Sequence, residues 1–177
     1  LPLLIVNLIG LEANAYFYVA SSVSGLLAMI PAAVSLSLFA HGSHEQHRMI
    51  QHAFASVKFA LWLLMPSIGV VFLLGGNILL LFGRAYSDQA TRLLWMLALS
   101  TLPMTVNFFF FSVRRVQQRM GAVVVCAVWI LSITLGLSAV LLPRTGLIGV
   151  GVAWFVAQCS VALAILTWYA LSRRASH

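Results

Sequence analysis

Charge is the scarcest thing in this sequence. Its 177 residues carry three acidic and ten basic side chains, 7% of the chain, where a soluble domain has about a quarter. Glu12, Glu45 and Asp88 are far apart, so paired-carboxylate chemistry has no local motif, and neither a nucleophile elbow nor HExxH is present. Cysteine is almost as rare. Cys126 and Cys159 each sit within an apolar run and read as small buried hydrophobes, without the clustering of a disulfide framework or zinc site. An enzyme is therefore not expected, and neither is a cofactor or a resident metal.

Hydrocarbon fills the chain instead. Hydrophobic residues make up 62%, and residues 15–40, 59–83, 93–113, 120–142 and 146–172 form five runs of 21 to 27 residues with no Asp, Glu, Lys or Arg. A helix needs about 20 apolar residues to cross a ~30 Å hydrocarbon core. The expected fold is all-α: a polytopic membrane helical bundle forming one domain over 1–177, with five full transmembrane helices and a truncated first one. That first piece, LPLLIVNLI at 1–9, is too short to span and reads as the end of a helix begun upstream.

In a soluble protein the net charge of +7 would point to nucleic acid. Here the bases are dispersed among membrane-edge gaps, so they speak for orientation and contact with membrane lipids, and no nucleic-acid partner is expected. Arg48, Lys58, Arg114, Arg115, Arg119, Arg173 and Arg174 fall on one side; Arg84, Arg92 and Arg144 fall on the other. Cytoplasmic loops carry the Lys/Arg excess, which puts the first side and the C-terminus in the cytoplasm.

Proline and glycine punctuate the spans. Pro31, Pro66 and Pro103 lie inside three of them, and the second span is expected to break at Gly75-Gly76-Asn77. Interrupted helices in a bundle mark a moving part or a cavity. Ser132 and Gly136, with Thr134 and Ser138 interleaved, form a small-xxx-small packing face. Glycines 146, 149 and 151 do not fit a nucleotide loop and suit close helix packing; a turn is expected at Pro143-Arg144-Thr145. Tyr16, Tyr18, Trp62, Trp168 and Tyr169 fall near span ends, as interfacial aromatics do.

Three polar clusters remain. His41, His44, His47 and His52 with Glu45 could supply metal ligands, but their spacing matches no strong zinc motif and a water-facing linker is the preferred reading. Arg84, Asp88 and Arg92 are spaced for i,i+4 pairs on a helix. Arg114, Arg115, Gln117, Gln118 and Arg119 gather at the end of the third span, where guanidinium groups could meet a lipid-linked phosphate or simply anchor against anionic lipid.

The stretches AYFYVASSVSGLLAMIPAAVSLSLFAHGSH, LSTLPMTVNFFFFSVRRVQQRM and GLIGVGVAWFVAQ resemble the polysaccharide-biosynthesis, or lipid-linked oligosaccharide, flippases. These belong to the superfamily that includes multidrug and toxin extrusion transporters and the lipid II flippase. The polar punctuation GSH, the LP…N pair and R-x-Q-x-R carry the likeness. It implies the C-terminal six-helix bundle of a bacterial cytoplasmic-membrane transporter, paired with an N-terminal bundle of the same protein. Its cargo would be an undecaprenyl-pyrophosphate-linked sugar, moved by alternating access. The spans hold no cationic residue of the sort expected in such a cavity: either the N-terminal bundle supplies them, or the cavity is lined here by Asn14, Tyr16, Asn107 and Gln158, with Arg114 and Arg115 at its edge. A cation-coupled antiporter of the same superfamily and a membrane enzyme of polyprenyl-linked sugar metabolism are the alternatives. The first would want an intramembrane acid, the second a longer outside loop.

Overall fold

The computed structural model describes residues 1–42 and 49–174, with side chains for 1–37, 55–169 and 171. Six helices follow one another among them: α1 (Pro2–Leu8), α2 (Leu11–Gly42), α3 (Met49–Leu80), α4 (Arg84–Val116), α5 (Met120–Thr145) and α6 (Leu147–Arg174). Five segments are long and apolar enough to cross a membrane: Leu11–Ser37, Ala55–Leu80, Arg84–Val116, Met120–Thr145 and Leu147–Tyr169. The chain folds as a polytopic helical bundle.

Large apolar side chains lie outside this bundle as well as inside it. Ala20, Ala60, Ala90, Ala98, Ala153 and Ala157 are fully buried, whereas Leu73, Leu81 and Trp62 are 83%, 85% and 74% exposed. In lipid no hydrophobic force gathers large side chains inward, so helices associate through close packing at small residues. The sequence supplies alanine and glycine at crossings beside fully buried Leu64, Leu79, Leu93 and Leu94, and leaves further leucines for the acyl chains.

Helix α4 organises the bundle by packing on α2, α3 and α6, while α5 leans mainly on α6. Half of the α4 and α6 spans is buried, against 11% of α5. Helices α2, α4 and α6 run parallel. Tyr16 meets Tyr86 near the starts of α2 and α4, Ser35 bonds Ser112 near their ends, and Arg114 reaches Trp168 near the ends of α4 and α6. The main core, including Phe17, Leu64, Leu79, Leu93 and Val150, lies around α4; Ile130, Val161 and Ile165 fill a second between α5 and α6.

Several expectations change on folding. Helix α3 does not break at Gly75-Gly76-Asn77 but runs through to Leu80. The glycines serve proximity there: a Cβ on Gly75 would sit 3.2 Å from Leu94 Cδ2, so the bare backbone lets α3 press on α4. The turn expected at 143–145 is also helical. A proline in a last helical turn forfeits one ladder bond and spares the rest, and the chain reverses at Gly146, whose φ of 65° favours glycine. On α5, Ser132 and Gly136 face outward, while Thr134 and Ser138 are the buried pair. The stripe is real but shifted by two residues, because α6 covers the other face.

Candidate functional site

Between α2 and α6, with α4 as its floor, lies a cavity of about 240 Å³. Phe17, Ser21, Ser24, Gly25 and Ala28 line it from α2, a spacing that keeps one helix face in view. Helix α4 contributes Leu97, Ser100, Thr101 and Met104, and α6 contributes Val150 and Trp154. The walls are apolar with hydroxyls set among them. Ser21 Oγ is buried there without a hydrogen-bond partner among the described residues. A Cβ built on Gly25 meets nothing within 4 Å, so the space in front of it is open.

The α4 floor is locally weakened. Pro103 sits inside the helix and removes one ladder bond. Around it, the hydroxyls of Ser100, Thr101 and Thr105 donate back to the carbonyls of Leu97, Ala98 and Thr101 at 2.6 to 2.7 Å. Such back-bonding competes with the backbone ladder and bends helices. The weak turn and the cavity share one level of the bundle.

None of the six residues singled out from the sequence lines this cavity. Asn107 and Gln158 are brought together: the Asn107 amide donates to Gln158 Oε1 at 2.7 Å and to its carbonyl at 3.2 Å, joining α4 to α6 in a buried contact. Asn107 Oδ1 has no partner among the described residues. At the opposite end of the bundle from Arg114, Tyr16 donates to Glu12 and lies edge-on to Tyr86, 4.8 Å between centroids. Tyr16 is buried, whereas Tyr18 and Trp62 are exposed. Asn14 is half-buried with Oδ1 unpartnered.

Adjacent in sequence, Arg114 and Arg115 part company in space. Arg115 is exposed; Arg114 is 8% exposed. The Arg114 guanidinium carbon lies 5.1 Å from the Phe110 ring centroid and 4.5 Å from that of Trp168, and Nη1 donates to Gln117 Oε1 at 3.2 Å. The helix ends here in a turn with Gln118 at φ 54°, where Gln118 N–H reaches Arg115 O and Arg119 N–H reaches Arg114 O. No carboxylate meets the Arg114 guanidinium among the described residues, and a buried cation without a counter-charge costs several kcal/mol. Cation–π contacts return about 0.5–2 kcal/mol each and a helix C-terminus about 0.3–1. These terms offset that cost only in part.

The remaining polar clusters do less. Arg84, Asp88 and Arg92 are exposed on the first turns of α4 and form no ion pair among the described residues. No group of three or more metal-ligating side chains gathers among the described residues; Glu45, His44 and His47, and the side chains of His41 and His52, lie outside them. Sequence reasoning missed Ser21, Ser24, Ser100 and Thr101 as cavity residues. The signal available was the recurrence of small hydroxyls on one face of the first full span, which packing accounts for equally well. The chain matches no family model, no curated protein and no solved structure.

Proposed function

We propose that this chain is the C-terminal membrane bundle of a transporter that moves a lipid-linked oligosaccharide or polysaccharide precursor across the bacterial cytoplasmic membrane by alternating access. The observation that carries the reading is the cavity between α2, α4 and α6, with Ser21, Ser24, Ser100 and Thr101 among the residues that line it. A helix crossing built only for packing would close such a gap; one that passes a polar head through hydrocarbon keeps it. At about 240 Å³ it is smaller than the ~300–1,000 Å³ of a drug-sized ligand pocket. It is one wall of a path, and an N-terminal bundle of the same protein supplies the other. The undecaprenyl tail stays in the lipid phase while the pyrophosphate and sugar pass along the cavity. The work is shelter and motion, not covalent chemistry, since an unshielded charge in the bilayer costs at least ~2.5 kcal/mol.

The test fills the cavity. Gly25→Leu places a side chain in open space and raises helix propensity, so the fold tolerates it. In proteoliposomes loaded with undecaprenyl-pyrophosphate-linked oligosaccharide, exposure of the sugar to an impermeant glycosidase should slow about tenfold, a barrier change of ~1.4 kcal/mol. An unchanged rate would remove the cavity from the path.

A further inference from the structure

We propose that Arg114 is the centre of a phosphate-binding site at the C-terminal ends of α4 and α6, independent of the cavity. Three observations converge on it. The side chain is more than nine-tenths buried, yet no carboxylate meets it among the described residues. Of the chain's three acids, Asp88 lies on the same helix about 40 Å away at 1.5 Å per residue, Glu12 is at that same distant end in the first turn of α2, and Glu45 lies outside the described residues. The walls around the cation are aromatic: Phe110 one turn back on α4 and Trp168 across on α6.

Rings hold a guanidinium in place without neutralising it, and Gln117 accepts from only one of its nitrogens. The other N–H donors have no partner among the described residues, and none of them is a sealed, unsatisfied atom. They remain reachable. An anion with several oxygens completes the set, and a planar fork of this kind matches phosphate bidentately. Exposed Arg115 and Arg119 beside it raise the local positive potential and draw such a group in. The position at a span end suits either a phosphodiester of an anionic lipid headgroup or a pyrophosphate presented from the aqueous side. The shared chemistry is the phosphate. This site does not require the transport reading, because a lipid held for structure would use the same contacts.

Thermal unfolding of the purified protein in phosphatidylcholine nanodiscs tests the site. Phosphatidylglycerol is titrated into the bilayer in one series and sodium pyrophosphate into the buffer in another, at constant ionic strength. Saturable stabilisation is expected in at least one series. Its midpoint should move about tenfold or more higher in Arg114→Gln, the loss of a charge-assisted hydrogen bond, and stay within about twofold in Arg115→Gln. A response to phosphatidylglycerol alone identifies the headgroup as the source, and a response to pyrophosphate alone identifies the soluble anion. Responses to both leave phosphate as the common determinant. No saturable response, or equal losses in the two arginine variants, overturns the site in favour of diffuse surface charge. Should Arg114→Gln fail to fold, Trp168→Leu decides: it keeps the cation and removes a wall, so an unchanged midpoint also overturns the proposal, and a severalfold rise supports it.

Discussion

Individual residues in this bundle matter mostly by how little space they fill. Gly151 is the clearest case, because a Cβ there would sit 2.9 Å from Met96 Cβ and 3.0 Å from Leu93 Cδ1. Neither neighbour can yield easily: one atom is fixed to the α4 backbone, and the other belongs to a fully buried leucine. Gly151→Ala should therefore push α6 off α4 at a cost of about 1–3 kcal/mol, read as a lower unfolding temperature in detergent. Gly25→Ala, with nothing near its Cβ, should be neutral or slightly stabilising. The need for small residues at 149 and 151 was legible in GLIGVGVAW. Which helix each one touches was not, since Gly149 meets Leu141 on α5 while Gly151 meets α4.

At the level of the helix, α4 joins a half-buried span to a backbone turn weakened by proline. Pro103 and three back-bonding hydroxyls fall within six residues, and the same helix is tied to α2 through Ser35 and Ser112 and to α6 through Asn107 and Gln158. Each interhelical hydrogen bond is worth only about 0.6 kcal/mol on average in a membrane protein, enough to set register without preventing movement. Pro103→Ala should restore a ladder bond, raise thermal stability by about 1–3 kcal/mol and slow transport. The readouts are the unfolding temperature and the glycosidase-exposure rate. A variant both more stable and equally fast would show that the weak turn is a static kink. Proline positions were plain in the sequence; that Pro103 borders a cavity, while the glycine pair of α3 leaves its helix unbroken, depended on neighbours.

For the whole molecule, parallel α2, α4 and α6 place one end of the bundle at Arg114 and Arg115 and the other at Arg84 and Arg144. The excess of bases on the first end should face the cytoplasm. With Cys126 and Cys159 replaced by alanine, an impermeant thiol reagent added to intact cells should label Arg144→Cys and not Arg115→Cys. The reverse pattern would invert the protein and put Arg114 at the outer leaflet. Both engineered positions are exposed, so access reports sidedness rather than burial.

The sequence by itself determined the solvent, the number of spans and the all-helical class. Those depend on runs of uncharged residues about 20 long, and a backbone in hydrocarbon must satisfy its own hydrogen bonds. It could not determine the inward faces. Lipid and neighbouring helix are nearly equal in polarity, so no alternation of polar and apolar residues marks which side is covered. Only the tertiary structure decided that Thr134 and Ser138 turn in while Ser132 and Gly136 turn out. The same holds for Asn107 meeting Gln158, and for Arg114 lying buried between two rings while its neighbour Arg115 stays exposed. Each outcome follows from which helix lies alongside, and the order of residues along one helix does not encode that.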